Sequence, residues 1–370
     1  MIDTKEFYDH LLRKGLSFFT GVPDSLLKDI CACITENSST KDHIIAANEG
    51  NAVAVAAGRY LSTGMPGVVY MQNSGLGNAA NPLLSLADRE VYGIPMLLII
   101  GWRGEPGTKD EPQHVKQGKI TLPMLDAMEI PYLILDDNYR EQTDRCCKLM
   151  RDQQCPVAII VRSGTFAPYG RAVSPGRYML TREEALSSLI NAIGNDGFVV
   201  STTGKTSREL FELRERNGQG HSNDLLTVGS MGHTASIAFG MSLGTEKNVY
   251  CVDGDGSFLM HTGGLAVIAK NAGKNFKYIM MNNGAHESVG GQPTVAFDID
   301  AEGILKAAGF ERTYTASTNE EIEKNMARMK EEGKSALIIL IRQGSRKDLG
   351  RPTVSPKDNK SALMEKIRSE

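Results

Sequence analysis

The fold is decided by two stretches, VDGDGSF at residues 252–258 and MMNNGAHES at residues 280–288. Each begins with apolar residues of the kind that form a strand buried on both faces of a parallel sheet. About one helix separates them, and a right-handed β-α-β crossover brings the carboxyl ends of two such strands to one edge. Ligands of open α/β sheets bind at that edge. We therefore expect Asp255 and Asn282 to converge, although 27 positions separate them.

The side chains at this edge suit a hard cation and a phosphate. A carboxylate from Asp255, an amide oxygen from Asn282 and a backbone carbonyl are the ligand types that Mg²⁺ takes, completed by phosphate oxygens. Gly256 allows close approach of the backbone to a phosphate, and a helix beginning after Ser257 offers free N–H groups to an anion. An isolated Asp-Gly pair is more typical of an ordinary turn. Its occurrence with the Asn-Asn pair, each after an apolar strand, favours a metal and diphosphate site.

These motifs resemble the cofactor motif of the thiamine diphosphate-dependent enzymes. The resemblance implies that Asp255, Asn282 and the carbonyl of Gly284 bind Mg²⁺. It also implies cofactor contacts by the following residues: Glu49, Thr203, Gly204, Lys205, Gly229, Ser230, Met231, Gly254, Gly256, Ser257 and Asn282.

Glu49 lies in HIIAANEGNAVAVAAGRYLSTG (43–64), between a predicted strand and a helix of small residues. By itself, an acidic residue in the first turn of a helix is explained by the helix macrodipole. With the downstream metal motif, this stretch resembles the pyrimidine-binding domain of the same superfamily. The resemblance implies that Glu49 is catalytic, because it shares a proton with the pyrimidine ring and thereby activates the cofactor. A desolvated site raises a carboxyl pKa toward the range useful for proton sharing.

A glycine-rich turn between a strand and a helix lies in LLTVGSMGHTASIAFGMSLG (225–244). It resembles the segment that bends the cofactor in these enzymes. The resemblance implies that the Gly229 carbonyl accepts a hydrogen bond from the cofactor's amino group and that Met231 lies beneath the bend. A flexible thioether suits an irregular contact of this kind.

The segment STTGKTSREL (201–210) is similar to a P-loop but lacks one required glycine, because Val199 occupies that position. We therefore exclude a nucleotide triphosphatase. The segment follows a predicted strand and opens a helix, so Thr203, Gly204 and Lys205 are better placed to contact a diphosphate.

Strand-like apolar runs alternate with helical patterns along the whole chain, which is typical of parallel α/β folds. The predicted strands are HIIAA (43–47), GVVYMQN (67–73), PMLLIIG (95–101), PYLIL (131–135), PVAIIVRS (156–163), GFVVSTTG (197–204), DLLTVGS (224–230), NVYCVDG (248–254), FKYIMMNN (276–283) and SALIILI (335–341). The stretch 164–180 is rich in Gly and Pro and has no periodicity, so it predicts a linker. We predict two doubly wound parallel-sheet domains of the thiamine diphosphate-binding fold, without a central domain. Residues 1–165 form the pyrimidine-binding domain, 166–180 the linker, and 181–370 the diphosphate-binding domain with a basic C-terminal loop and helix.

Composition excludes several classes of partner. A net charge of −3 provides no overall field for nucleic acid. No apolar run approaches the roughly 20 residues of a membrane-spanning helix, and the N-terminus lacks a signal-peptide core. None of the six cysteines forms a C-x-x-C pair, which favours reduced thiols and a cytoplasmic protein. We expect a small anionic 2-keto acid substrate, and no nucleic acid or membrane partner.

Within the superfamily, the two-domain form resembles decarboxylases of phosphonopyruvate and, slightly less, those of sulfopyruvate. The segments that carry this resemblance are spread along the chain: TGVPDSLLK (20–28), AANEGNAVA (46–54), QNSGLGN (72–78), GWRGEPGTKDEPQH (101–114), TTGKTSRELFE (202–212), VGSMGHTASIA (228–238) and GSRKDLGRP (344–352). The resemblance implies decarboxylation of 3-phosphonopyruvate to phosphonoacetaldehyde and CO₂ in phosphonate biosynthesis, such as that of 2-aminoethylphosphonate.

A phosphonate requires cations or clustered N–H donors, and two basic loops, 102–118 and 342–351, offer them. The expected substrate-binding residues are Ser25, Asn73, Ser74, Arg103, Lys109, Arg346 and Arg351. Asp24 relays protons if the resemblance to related decarboxylases holds, or otherwise caps the following helix. His114 orients the substrate or acts as an acid at neutral pH.

The resemblance also implies a homo-oligomer, at least a dimer, in which Glu49 and Asp255 of one active site come from different subunits. Three alternatives stay open. Sulfopyruvate differs from phosphonopyruvate by only one charge, and carboligation as in acetolactate synthesis is disfavoured by the absent central domain. A non-catalytic subunit of the same fold should lack the activating glutamate or a metal ligand, whereas this sequence contains both.

Overall fold

The computed structural model describes residues 1–170, 176–195 and 197–370. The chain divides into two compact units, Met1–Val173 with Ser288–Gln292, and Ser174–Glu287 with Pro293–Glu370. Within the predicted linker, residues 171–175 lie outside the described residues. Phe166 belongs to the core of the first unit and Leu180 to the core of the second, so parts of the predicted linker pack as domain structure.

The first unit contains a six-stranded parallel sheet with the strand order β2-β1-β3-β4-β6-β5. Its strands are β1 (Phe19–Gly21), β2 (His43–Ile45), β3 (Gly67–Gln72), β4 (Met96–Gly101), β5 (Tyr132–Ile134) and β6 (Val157–Val161). Its helices are α1 (Thr4–Arg13), α2 (Lys28–Asn37), α3 (Glu49–Thr63), α4 (Leu76–Pro82), α5 (Pro112–Ala127) and α6 (Tyr139–Gln153), with single turns at Asn73–Gly75 and Leu83–Ala87.

Both faces of this sheet are covered, as its continuous apolar strands predict. In β4, Leu97 and Ile99 pack on one face with α1, α2 and α6, whereas Leu98 and Ile100 pack on the other with α3, α4 and α5. The helix α3 begins sharply because the Asn48 side chain accepts a hydrogen bond from the Asn51 N–H at 2.9 Å. This cap places Glu49 in the first turn.

From residue 176 onward the strands are β7 (Gly197–Ser201), β8 (Asp224–Leu226), β9 (Asn248–Gly254), β10 (Phe276–Asn282), β11 (Ala285–His286), β12 (Gln292–Pro293), β13 (Arg312–Ala316) and β14 (Ser335–Leu340). The six longer ones form a second parallel sheet with the strand order β13-β14-β10-β9-β7-β8. The helices are α7 (Arg182–Ile193), α8 (Lys205–Arg216), α9 (Thr234–Ser242), α10 (Asp255–Met260), α11 (Thr262–Asn271), α12 (Ala301–Ala308), α13 (Asn319–Glu331) and α14 (Pro356–Ser369), with a single turn at Glu287–Val289.

The second sheet is also covered on both faces. One core cluster joins it to α7, α8 and α13, and the other joins it to α9, α11, α12 and α14. The predicted class of two doubly wound parallel-sheet domains is therefore confirmed. Within the described residues, no helix is both long enough and apolar enough to cross a bilayer.

The strand orders define where ligands can bind. In a doubly wound sheet, the crevice lies where successive connections leave in opposite directions. That point falls between β1 and β3 in the first unit and between β7 and β9 in the second. The segments that follow these four strands contain the predicted site residues Asp24, Asn73, Thr203 and Asp255.

Candidate active site

Asp255 is the first residue of α10 and directly follows β9, at the crevice of the second unit. Its side chain is almost fully buried, and the Thr294 hydroxyl donates a hydrogen bond to Oδ2 at 2.5 Å. Burial raises the pKa of Asp255 to about 6, against the lowering effect of hydrogen bonds from Thr294, Gly256 and Ala285. A buried carboxylate without a cation is costly, so this position suits a metal ligand.

Asn282 is the last residue of β10, and the loop beside Asp255 begins with Asn283. Nδ2 of Asn282 donates to the Ala296 carbonyl at 3.1 Å, and its Oδ1 accepts a hydrogen bond from the Gly284 N–H at 3.1 Å. The Gly284 carbonyl, a predicted ligand, already accepts a hydrogen bond from the Thr294 N–H at 2.9 Å.

Asn283, which was not among the predicted metal ligands, has a closer link to Asp255 than Asn282 has. The Ala285 N–H donates to Asn283 Oδ1 at 3.1 Å and also contributes a hydrogen bond to the Asp255 carboxylate. Asn283 and the Ala285 carbonyl are therefore a second candidate pair of oxygen ligands. Among the described residues, no cluster of three or more His, Cys, Asp or Glu side chains could hold a metal, which leaves amide and carbonyl oxygens to complete a Mg²⁺ site.

The backbone around Gly256 has no room for a side chain. A Cβ atom there would lie 2.9 Å from Nδ1 of His286 and 3.0 Å from the terminal methyl of Met231. The hydroxyl of Ser257 accepts a hydrogen bond from the Gly232 N–H at 3.0 Å. The predicted diphosphate loop and the predicted cofactor-bending loop are thus in direct contact.

The loop that follows β8 has unusual backbone angles. Gly229 and Ser230 have positive φ values of 69° and 48°. Positive φ is uncommon for a residue other than glycine, and such conformations cluster at ligand sites. The Gly229 N–H donates to the hydroxyl of Thr203 at 2.9 Å, which ties this loop to the one after β7. Gly204 and Lys205 follow as the N-cap and first residue of α8.

A buried carboxylate that the sequence analysis missed, Asp253, supports the metal loop. It accepts hydrogen bonds from the Gly254 N–H at 3.0 Å and the Tyr278 hydroxyl at 3.3 Å. Burial raises the pKa of Asp253, and hydrogen bonds from Ser257 and Thr202 oppose that shift. The only sequence signal was a charged residue inside an apolar strand.

In the first unit, Glu49 is only 5% exposed. Nδ2 of Asn78 donates to its Oε2 at 2.8 Å. A Cβ at Gly75 would lie 2.5 Å from Cγ of Glu49, so the glycine in the loop after β3 leaves space for the carboxylate. Burial and the hydrogen bond from Asn78 hold the Glu49 carboxyl in place at the start of α3.

Asp24 follows β1 and is completely buried. Its carboxylate accepts hydrogen bonds from Nε2 of Gln72 at 2.5 Å and from the Leu26 N–H at 2.9 Å. Burial raises its pKa, although these hydrogen bonds and Arg103 lower it. The alternative that Asp24 caps the following helix is wrong, because α2 begins at Lys28 with Leu27 as its N-cap.

Arg103 joins the loops after β1 and β4. Its Nη1 donates to the Ser25 hydroxyl at 2.7 Å, and Nε and Nη2 bind the two oxygens of Asp110 at 2.8 and 2.5 Å. Burial raises the pKa of Asp110, but the Arg103 guanidinium outweighs it and holds that pKa well below the usual range. Asn73 bonds to the Arg103 carbonyl and to Thr121, both at 2.8 Å, so it braces the loop.

His114 lies in α5 and is 8% exposed. Burial and the positive charge of Arg103 lower its pKa to about 4, so its imidazole is neutral at pH 7. A neutral ring can orient a substrate or donate a hydrogen bond. The sequence also predicted that His114 could act as an acid at neutral pH. A pKa of about 4 does not favour that role, because the ring carries no extra proton at pH 7.

We expect His114 to make the first unit sensitive to acid. Because the pKa is about 4 in the folded protein and about 6.5 when unfolded, the unfolded state binds more protons between these values, and stability falls as pH drops from about 6.5 toward 4. Urea unfolding at pH 7.5 and pH 5 measures how much free energy of unfolding is lost between the two pH values. This loss should be about 1 kcal/mol smaller in His114→Gln than in the wild type, after allowance for solvent screening. Identical pH dependence of both proteins would contradict this.

The basic residues differ in their availability to an anion. Arg346 forms ion pairs with Glu183, Glu212 and Asp348, so its guanidinium is already occupied. Lys109, Arg351 and Ser74 are exposed. Within the first unit, Asp24, Ser25, Asn73, Arg103 and His114 come together around the crevice, whereas Lys109 and Ser74 lie on its exposed side.

Comparison with known proteins identifies the class to which a chain with these sheets and crevice residues belongs. Residues 4–130 match the thiamine pyrophosphate enzyme N-terminal TPP binding domain, and residues 202–340 match the C-terminal TPP binding domain. The chain belongs to the thiamine pyrophosphate enzyme family. The predicted family and the predicted cofactor thiamine diphosphate are therefore confirmed, whereas Mg²⁺ stays a prediction.

Three similar proteins are decarboxylases, or subunits of decarboxylases, of phosphonopyruvate or sulfopyruvate. The chain is 34% identical to phosphonopyruvate decarboxylase of Streptomyces viridochromogenes, over 96% of this chain and 92% of that protein. It is 28% identical to sulfopyruvate decarboxylase of Methanosarcina acetivorans, over 95% of this chain and 94% of that protein. It is also 32% identical to the sulfopyruvate decarboxylase beta subunit of Methanocaldococcus jannaschii, over 43% of this chain and 81% of that subunit.

Proposed function

We propose that the protein decarboxylates 3-phosphonopyruvate to phosphonoacetaldehyde and CO₂, with thiamine diphosphate and Mg²⁺ as cofactors. The observation that carries the proposal is the 34% identity with a phosphonopyruvate decarboxylase over nearly the full length of both chains. Buried carboxylates at both crevices, Glu49 and Asp255, support catalysis rather than a scaffold role. Phosphonate biosynthesis is the corresponding role, and a cytoplasmic location stays a prediction.

The residues of the second unit fit the cofactor's diphosphate and a metal. Asp255 supplies a carboxylate, and the 282–285 loop supplies amide and carbonyl oxygens for Mg²⁺. Thr203 and Lys205 would contact the diphosphate; the contact of Thr203 with Gly229 and the space left beside Met231 by Gly256 support this assignment. When bound, thiamine diphosphate supplies the electron sink for loss of CO₂.

The residues of the first unit supply proton transfer. Glu49 would share a proton with the pyrimidine ring of the bound cofactor. Burial raises the pKa of Asp24, which favours its protonated form, and the protonated carboxyl would provide the acid that product formation requires. Its carboxylate is oriented by Gln72 and the Leu26 N–H.

The substrate's second anionic group is bound near Arg103 and Ser25. Their hydrogen bond at 2.7 Å joins a cation and a hydroxyl donor at the crevice of the first unit. Exposed Lys109 adds a second cation from the same loop, and exposed Arg351 is a further candidate. Arg346 is a weaker candidate because it pairs with three carboxylates, whereas Arg103 pairs with one, Asp110.

Sulfopyruvate is the second candidate substrate. The sulfopyruvate decarboxylase of M. acetivorans matches almost the whole chain, so a single-chain arrangement does not separate the two activities. The difference in identity, 34% against 28%, favours phosphonopyruvate.

Release of CO₂ by purified protein with thiamine diphosphate and Mg²⁺ tests the proposal, with phosphonopyruvate, sulfopyruvate and pyruvate offered in parallel. We expect preference for phosphonopyruvate and loss of turnover with EDTA. Preference for sulfopyruvate would replace the substrate and retain the cofactor chemistry. Binding of thiamine diphosphate without turnover of any of the three would reject decarboxylation of these acids.

We also propose a homo-oligomer in which each active site takes Glu49 and Asp255 from different subunits. Equal mixing of inactive Glu49→Ala and Asp255→Ala subunits, by refolding together, should restore about one quarter of wild-type activity in a randomly assembled dimer. This follows because half of the dimers are hybrids and each hybrid has one intact site. Mixed samples no more active than the unmixed variants would contradict a shared site.

A further inference from the structure

A cluster of four charged side chains lies beside the metal loop in the second unit. Nε and Nη2 of Arg182 bind the two oxygens of Glu209, each at 2.8 Å. Nη1 of Arg182 donates to Oε2 of Glu287 at 3.0 Å, and Nζ of Lys205 donates to Oε1 of Glu287 at 2.9 Å. Two cations and two carboxylates therefore balance each other in a largely buried position.

Glu287 is the member of this cluster that connects separate parts of the candidate site. Besides its two cationic partners, its Oε2 accepts a hydrogen bond from Nδ2 of Asn283 at 2.8 Å. One carboxylate thus contacts the Asn-Asn motif, the first residue of α8 and Arg182 at the start of α7. These three segments are distant in sequence and meet at this side chain.

The contacts restrict groups that would otherwise be mobile. Lysine has a long flexible side chain with a compact charge, and its position is defined only when a partner holds it. Asn283 Nδ2 is engaged by Glu287, which leaves Asn283 Oδ1 directed into the loop that contains Ala285. Glu287 therefore holds in place both Lys205, a candidate diphosphate ligand, and the Asn283 amide, a candidate Mg²⁺ ligand.

We propose that Glu287 is a positioning residue for cofactor binding, which holds Lys205 and Asn283 where the diphosphate and Mg²⁺ are bound. The inference rests on the proposed cofactor contacts of the second unit and does not depend on which keto acid is the substrate. Arg182, backed by Glu209, fixes Glu287 from the opposite side. Residues that contact metal-binding or ligand-binding groups, without touching the metal or ligand themselves, orient those groups.

A double-mutant cycle on thiamine diphosphate affinity tests the proposal. The dissociation constant at saturating Mg²⁺ is measured by calorimetry for wild type, Lys205→Ala, Glu287→Gln and the double variant. We expect Glu287→Gln to weaken binding by about 10-fold or more. Saturating Mg²⁺ keeps the metal site filled, so the remaining effect of Glu287 on thiamine diphosphate affinity passes through Lys205. The double variant should therefore bind no more than about 2-fold more weakly than Lys205→Ala.

Two control variants separate positioning from general loss of stability. Asp224→Asn disrupts another buried ion pair of the second unit, in which Nε of Arg214 lies 3.0 Å from Oδ2 of Asp224. Glu302→Gln removes an exposed pair with Lys306 and serves if Asp224→Asn folds poorly. Folding is checked by thermal melting, and both folded controls should bind thiamine diphosphate within about 2-fold of wild type and be additive with Lys205→Ala.

The outcomes are distinct. Wild-type affinity in Glu287→Gln, or additive effects of Lys205→Ala and Glu287→Gln, would overturn the positioning role. Wild-type protein that binds thiamine diphosphate without decarboxylating phosphonopyruvate would reject the proposed substrate and leave this role intact if the cycle is non-additive. Failure of the wild type to bind thiamine diphosphate would overturn both.

Discussion

Glu49→Gln is expected to lower the rate of CO₂ release by about 10²–10⁴-fold, because an amide cannot share the proton that a carboxyl shares with the pyrimidine ring. The substitution is close in shape, so the buried site beside Gly75 and Asn78 should stay folded. The rate is measured at saturating thiamine diphosphate and Mg²⁺. Calorimetry should show that the cofactor still binds within a few-fold of wild type.

Two comparison variants define the role of Glu49 more sharply. Glu129→Gln changes an exposed glutamate that pairs with Arg89, and the rate should not change. Gly75→Ala retains Glu49 but places a Cβ 2.5 Å from its Cγ, so the rate should fall although the carboxylate is present. Glu49→Gln activity above about one tenth of wild type would exclude Glu49 as the activating acid, since general acid–base catalysis contributes about 10²-fold at least.

Asp255→Asn is expected to weaken Mg²⁺ binding and to lower activity, each by more than about 100-fold. Substitution of outer partners of a metal site costs about 10–100-fold, and removal of a direct ligand should cost more. The amide removes the charge that neutralises the cation, while Thr294 can still donate a hydrogen bond to the remaining oxygen. Calorimetric titration of Mg²⁺ in the presence of thiamine diphosphate measures the effect.

The amide ligand can be identified in the same experiment. Asn282→Ala and Asn283→Ala differ by one position, and the variant with the greater loss of Mg²⁺ affinity identifies the ligand. The Ala285 N–H hydrogen-bonds both Asn283 Oδ1 and the Asp255 carboxylate, so we expect the larger loss for Asn283→Ala. Unchanged Mg²⁺ affinity in Asp255→Asn would show that the metal is held elsewhere.

Two strands were absent from the sequence prediction for different physical reasons. The strand β1 is only three residues long, and although it is fully buried at the centre of its sheet, so short a run carries little periodicity. The strand β13 lies at the edge of the second sheet and reads Arg-Thr-Tyr-Thr-Ala, with polar residues that resemble a loop. The long apolar strands β4, β9 and β10 were predicted almost to the residue.

The predicted cation sites differ from the structure because charge pairing is decided by residues far apart in the chain. Arg346 contacts Glu183, which is 163 positions away, and Lys205 contacts Glu287, which is 82 positions away. The basic loops were visible in the sequence, but their carboxylate partners were not. The same reason explains why Glu209 and Arg182 were missed.

The sequence by itself determined the two parallel α/β domains, the family and the positions of Glu49 and Asp255, because these depend on local apolar patterns and on motifs at the ends of strands. Only the tertiary structure decided which charged groups remain available and in which protonation state they exist. Arg346 is neutralised, His114 is held neutral with a pKa of about 4, and the pKa of Asp24 is raised. The physical reason is that burial and charged neighbours set these properties, and both depend on contacts between distant parts of the chain.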